Sequence, residues 1–309
     1  MKMSAYKFSL LACLRSSRPN FLVLAPLCAG LAVSAAWHDG HSPAGLDILL
    51  VMLAALLAHV AVNLFNEHHD FRSGLDSLTT RTPFSGGSGS LPENPEGAGA
   101  VRIAAWTCLV GVVAIGALFL WQVGAVMLAY GLLGLLLIVA YTGWLTRRPW
   151  LCLLAPGLGF GILMVAGAYQ ALTGMFSLTA LAVSLVPALM VSALLLVNQL
   201  PDIEPDQRVG RDHLAIRLGV RRASRLAAAI VLAGFAVIPI AWLFGVLPAG
   251  AWLMWLAVPA AAWLARGLWC LPVDVERGKL APLLPLMGLN VVVLLGSLIL
   301  LNAGLLLAG

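Results

Sequence analysis

The amino-acid sequence predicts an all-α membrane protein of nine transmembrane helices, arranged as two four-helix units plus one. Three observations carry that reading. The 309 residues are 61% hydrophobic and only 10% charged, against about 25% charged in soluble domains. Nine apolar stretches come close to the roughly 20 residues that a helix needs to cross a bilayer. Placing the N-terminus on the cytoplasmic side then puts all 18 lysines and arginines on that same side, as the basic bias of cytoplasmic loops requires.

In chain order, Lys2 and Lys7 precede a short apolar run that ends at Arg15 and Arg18. No small-residue cleavage pattern follows, so a removable signal peptide is not expected. The segment from Phe8 to Arg15 reads as a short interfacial helix. Spans are expected at 20–37, 45–65, 101–121, 123–142, 151–172, 177–198, 223–244, 248–270 and 284–306. The connectors near Gln122, from Thr173 to Ser177 and from Gly245 to Pro248 are short and imply antiparallel hairpins. The inside segments carry Arg72, Arg81 and Arg102, then Arg147 and Arg148, then the run from Arg208 to Arg225, and last Arg266, Arg277 and Lys279.

The outside segments are short and nearly uncharged, whereas two inside loops are long, Asn66 to Gly99 and Gln199 to Arg222. Long loops in compact domains are functional or disordered. The first contains Arg81-Thr82-Pro83-Phe84-Ser85-Gly86-Gly87-Ser88-Gly89, whose glycines permit close backbone approach to a ligand, and it reads as a cytoplasmic cap. Cys13, Cys28, Cys108, Cys152 and Cys270 show no metal-finger spacing and read as small buried hydrophobes. The formal charge of +5 is spread over the inside loops. The expected partners are the lipid bilayer and small molecules, not nucleic acid.

Two polar clusters stand out, each directly after a long apolar run. The first, Asn66-Glu67-His68-His69-Asp70-Phe71-Arg72-Ser73-Gly74-Leu75-Asp76, gathers three carboxylates at a helix end. The second is Asn198-Gln199-Leu200-Pro201-Asp202-Ile203-Glu204-Pro205-Asp206. Asn66 and Asp70 are four apart, as are Asn198 and Asp202, so each pair shares a helix face. The two pairs are offset by 132 residues, which suggests an internal repeat: units of about 1–142 and 151–270, plus a ninth helix, within one domain of 1–309. Hard oxygen ligands of this kind suit Mg²⁺, and Mg²⁺ bridges phosphate oxygens. With Arg72, Arg81, Arg208 and Arg211 beside them and apolar spans around them, the clusters fit a diphosphate head on a long hydrocarbon tail. The expected ligand is an isoprenyl diphosphate. His68 and His69 have no partner at zinc-ligand spacing and are read as non-ligands.

These residues carry a resemblance. Asn66-Glu67-x-x-Asp70-x5-Asp76 resembles the first aspartate-rich motif of the UbiA family of membrane aromatic prenyltransferases, and Asp202-x3-Asp206 resembles the second. Arg208-Val209-Gly210-Arg211 and Leu214-Ala215-Ile216-Arg217-Leu218-Gly219 are similar to the tail of that second motif. Arg18-Pro19 and Tyr141-Thr142 also match the family pattern. Glu67 departs from it, standing where the family usually has Asp; so do His68, His69 and Asp212.

The resemblance implies a Mg²⁺-dependent prenyl transfer to an aromatic acceptor in the bacterial inner membrane. Asp70 and Asp202 would be catalytic. Asn66, Glu67, Asp70, Asp76, Asn198, Asp202 and Asp206 would hold metal, the four arginines would contact the diphosphate, and Tyr141 would line the acceptor or prenyl pocket. The run from Asp70 to Asp76, together with the loop from Pro83 to Gly89, looks closest to members acting on 1,4-dihydroxy-2-naphthoate in menaquinone synthesis. 4-Hydroxybenzoate is the alternative acceptor. A secondary transporter of an anionic lipid or metabolite is the alternative from another class; transporters place ionisable groups near the bilayer midplane, and these spans hold almost none.

Overall fold

A computed structural model describes residues 10–275 and 278–308. Lys2, Lys7 and Arg277, three of the basic residues that orient the chain, lie outside these, as does Phe8 at the start of the expected interfacial helix; residues 10–16 are helical. No strand occurs among the described residues.

The long helices are α1 (Leu24–His38), α2 (Gly45–Ser73), α3 (Ala98–Val123), α4 (Val126–Ala140), α5 (Pro149–Thr173), α6 (Leu178–Asn198), α7 (Leu214–Leu243), α8 (Ala249–Trp269) and α9 (Leu284–Ala308). Eight of these regions are long and apolar enough to cross a membrane. The exception is α4, where a full span was expected at 123–142. Its 15 residues cover about 22 Å, short of the roughly 30 Å hydrocarbon core. The count of nine crossings therefore rests on this short helix. A second difference concerns α7, which begins at Leu214 instead of near 223. Its first turns carry Arg217, Arg221 and Arg222 and bend at Gly219 (φ 71°, ψ 167°), a backbone that glycine adopts without steric cost.

Successive helices pack side by side, and α9 closes the ring by packing on α1 and α8. The hub is α6, whose apolar stretch is 72% buried. Small residues set the tightest approaches. A Cβ at Gly157 of α5 would lie 2.2 Å from the Ala188 carbonyl oxygen of α6, and one at Gly250 of α8 would lie 2.1 Å from the Gly304 carbonyl oxygen of α9. Close backbone contact of this kind is how helices associate where lipid removes the hydrophobic drive. One polar tie joins α1 to α9: Ser34 donates to Asn302 Oδ1 at 2.9 Å, and Asn302 Nδ2 donates to the Leu27 carbonyl at 3.1 Å.

The middle of α5 is unusual. Pro156 interrupts the first segment, and Leu158–Gly167 is a ten-residue π-helix. Proline removes a backbone donor, and the wider π turn re-registers the chain before the helix resumes at Ala168.

Candidate active site

The first cluster is built by the C-terminal end of α2. Asn66 donates to Asp70 Oδ2 at 3.0 Å, as their one-turn spacing allows, and Thr142 donates to Asn66 Oδ1 at 3.2 Å. Gly74 ends the helix with φ 79°, and the short 3₁₀ turn Leu75–Ser77 folds Asp76 back to the cavity that Asp70 lines. The second cluster is built by the end of α6. Asn198 is its last residue, Asp202 precedes the short helix Ile203–Arg208, and Asp206 sits inside that helix, buried.

The two clusters meet. A polar cavity of about 140 Å³ is lined from one side by Asn66, Asp70 and Asp76 and from the other by Asn198, Asp202 and Asp206. Arg211 joins them, donating to Asp206 Oδ1 at 2.9 Å and to Asp70 Oδ1. His213 Nε2 lies 2.8 Å from Asp206 Oδ2. Burial works against the charge on Arg211, but the Asp70 and Asp206 carboxylates more than offset it and raise its pKa above the ordinary arginine value. Burial, followed by the charges of Glu67 and Asp70, pushes Asp76 up to about 7. Burial and then Asp206 push Asp202 to about 7 as well.

Three buried oxygens in this cavity wall have no hydrogen-bond partner: Asp76 Oδ2, Asn198 Oδ1 and Asp202 Oδ1. Buried polar atoms are paired as a rule, so three orphans together describe a seat for a cation. Among the described residues no three Asp, Glu, His or Cys side chains already stand at metal-holding distance. Arg211 explains part of this, because its guanidinium occupies the space between Asp70 and Asp206. The donor set of carboxylate and amide oxygens fits Mg²⁺.

The remaining sequence-predicted residues divide. Tyr141 lines the polar cavity. Glu67 is fully buried but outside the cavity wall; it accepts from Ser88 N at 3.1 Å and from the Ser88 hydroxyl, with Arg18 Nη2 3.7 Å away. Arg72 is exposed. Arg81 pairs with Glu93 at 3.1 Å and Arg208 with Glu204 at 2.5 Å, all of them exposed. None of these three arginines lines the site, because each points from its loop or helix end towards water.

Arg18 takes the place expected of them. It is the one non-glycine residue with positive φ (53°) among the described residues, its Nε is buried without a partner, and it lines the cavity. Backbone of this kind clusters at active sites and ligand clamps. Its only sequence signal was the Arg18-Pro19 pair.

Beneath the polar cavity lies an apolar chamber of about 400 Å³, walled by α2 to α6. The two spaces share Arg18, Asn66, Phe84, Tyr141, Leu195 and Asn198. The site is therefore amphiphilic, with a charged end among the loops after α2 and α6 and a greasy end inside the bundle. Residues 23–292 match the UbiA prenyltransferase family. The chain belongs to that family.

As a UbiA prenyltransferase it is an integral, multi-pass membrane enzyme. It is 28% identical over 300 residues to a 1,4-dihydroxy-2-naphthoate octaprenyltransferase of Haemophilus influenzae, covering 92% of this chain and 94% of that one. The fold is shared with a UbiA homologue from Aeropyrum pernix (TM-score 0.64, 18% identity, 93% of this chain and 96% of that one). It is also shared with a UbiA homologue from Archaeoglobus fulgidus solved with GPP and Mg²⁺ (TM-score 0.57, 12% identity, 94% and 99%).

Proposed function

We propose that this UbiA prenyltransferase transfers a prenyl group from an isoprenyl diphosphate to 1,4-dihydroxy-2-naphthoate, at the cytoplasmic side of a bacterial inner membrane. The observation that carries the reading is the junction of the two cavities. A diphosphate belongs in the acidic, arginine-bearing one, and only a hydrocarbon or an aromatic ring belongs in the apolar one. The naphthoate octaprenyltransferase of H. influenzae supports the choice of acceptor. In this reading the chain is one domain, with four-helix units at about 1–142 and 151–270 and a ninth helix after them.

Asn66, Asp70 and Asp76 on one side and Asn198, Asp202 and Asp206 on the other would hold Mg²⁺, consistent with the Mg²⁺ of the A. fulgidus homologue. When bound, Mg²⁺ supplies charge neutralisation to a leaving diphosphate. Arg18 and Arg211 are the protein's own cations there and favour the charge that develops as the C–O bond to the prenyl group breaks. Gly86 and Gly87 present backbone to the same cavity. Tyr141 and Phe84 stand where the cavities meet, positioned to flank the electron-poor prenyl carbon. The apolar walls keep water away from that carbon, so the acceptor ring is the nucleophile at hand. Glu67 contributes indirectly, by holding Ser88 and thereby the cap loop.

The test is prenyl transfer by the purified full-length protein in lipid, with a labelled isoprenyl diphosphate, with and without Mg²⁺. Offered 1,4-dihydroxy-2-naphthoate and 4-hydroxybenzoate side by side, it should prenylate the naphthoate. Preference for the benzoate would move the protein to the other acceptor, and Mg²⁺-independent movement of intact diphosphate across the bilayer would make it a transporter.

A further inference from the structure

The apolar chamber holds one group that the chemistry above leaves unused. His59 of α2 is 5% exposed, lines the chamber, and has a buried Nδ1 without a hydrogen-bond partner. It lies seven residues before Asn66, on the same helix face and about 10 Å deeper in the membrane. Leaving an imidazole nitrogen unpaired in an apolar wall is costly. A hydrocarbon tail would do nothing to offset that cost, whereas a ligand with a polar substituent at this depth would.

A second observation points to the same spot. The π-helical stretch of α5 faces His59 across the chamber, and Phe160 from that stretch meets the imidazole edge to face, with centroids 4.7 Å apart and rings inclined by 80°. π-Helical turns are energetically poor and concentrate at functional sites. Here the irregular turn carries an aromatic ring onto the imidazole, fixing its plane. Together the two rings give the chamber an apolar wall with one polar point.

We infer that His59 hydrogen-bonds a ring hydroxyl of the aromatic acceptor and sets which ring carbon faces the prenyl donor. The inference rests on the prenyltransferase reading above and deepens it. The reacting ring carbon must lie about 3–3.5 Å from the prenyl carbon, near Asn66 and Tyr141. The reacting ring itself carries both hydroxyls of 1,4-dihydroxy-2-naphthoate, and the one turned away from the diphosphate is directed down the α2 face, along the chamber that Asn66 and His59 both line, towards His59. An imidazole nitrogen there accepts the phenolic O–H, while Arg18 and Arg211, at the cytoplasmic end, are left to the diphosphate.

The test compares wild type, His59→Gln and His59→Phe as full-length proteins in lipid, with Mg²⁺, an isoprenyl diphosphate and 1,4-dihydroxy-2-naphthoate. His59→Phe should raise the acceptor KM about tenfold or more while leaving the donor KM and the acceptor-free release of prenyl alcohol within about twofold. His59→Gln, which can still accept a hydrogen bond, should recover most of the loss. The O-methyl ethers of the acceptor, used as competitive inhibitors, supply a reading that folding defects do not move: wild type should discriminate against one ether, and His59→Phe should not. An unchanged acceptor KM in His59→Phe, a parallel rise in donor KM, or equal inhibition of wild type by both ethers and the free diol overturns the assignment. Wild type that transfers prenyl groups to no hydroxylated aromatic ring overturns the prenyltransferase reading along with it.

Discussion

Asp70, Arg211 and Asp206 form a buried relay in which one guanidinium serves two carboxylates from different halves of the chain. Removing it leaves two buried charges unpaired. Arg211→Ala should therefore destabilise the metal-free protein by about 3–5 kcal/mol, and added Mg²⁺ should recover part of the loss, since a cation can take the vacated position. Thermal melts with EDTA and with Mg²⁺ check both statements; equal destabilisation in both conditions would detach Arg211 from the metal seat.

Asp76 and Asp202 make a pH prediction with a definite sign. Their carboxyls titrate near 7 in the folded, metal-free protein, against an ordinary value of 3.8. Between those values the folded state holds more protons than the unfolded one, so metal-free stability falls as pH rises from about 4 to about 7. Metal binding needs the ionised form, so Mg²⁺ affinity should rise through the same window and level off above about pH 7, with proton release. Asp202→Asn should raise the Tm of the EDTA-treated protein at pH 8 and weaken Mg²⁺ binding at least about tenfold. A Mg²⁺ affinity flat from pH 5 to 8 would show that these carboxyls are not the ligands.

At the scale of elements, the loop from Arg81 to Pro92 contains the segment that the sequence reads as a cytoplasmic cap. It is held by hydrogen bonds: Thr82 Oγ1 accepts from Phe84 N and Ser85 N, and Ser88 is tied to Glu67. Phe84 reaches α9, where it lies 3.2 Å from the Cβ position of Gly288. Gly87 cannot carry a side chain, because its φ is +77° and a Cβ would sit 2.7 Å from Asp76 Oδ1. Gly87→Val should therefore displace both loop and carboxylate, raising the donor KM and the share of free prenyl alcohol. Ser88→Ala should speed limited proteolysis within 81–92 by releasing the latch on Glu67; unchanged cutting would mean the loop is held elsewhere.

For the whole molecule, the nine-crossing topology turns on the short helix α4. If α4 crosses, the loop at Gly124 faces the outside while Arg147 and Arg148 face the cytoplasm together with both acidic clusters. Cysteine labelling with a membrane-impermeant reagent in intact cells, in a variant stripped of the five native cysteines, should modify Gly124→Cys and leave Arg148→Cys untouched. Modification of both, or of Arg148→Cys alone, would replace the nine-crossing topology. The flanking Trp144 and Trp150, both exposed, and the contact of Arg148 with the Trp144 ring are the interfacial anchors that a short helix needs.

The sequence by itself determined the membrane class and the two acidic helix ends, because hydropathy and i, i+4 spacing are local properties written residue by residue. It also exposed the matched clusters at Asn66–Asp70 and Asn198–Asp202. Only the tertiary structure decided which arginines reach them. Arg72, Arg81 and Arg208 are neighbours in sequence but face water, while Arg18, distant in the chain, enters the site through a strained backbone. Only packing could place Glu67 under the cap loop instead of in the cavity wall, or set His59 against Phe160. Those contacts depend on how helices separated by scores of residues rotate against one another, and no single segment encodes that rotation.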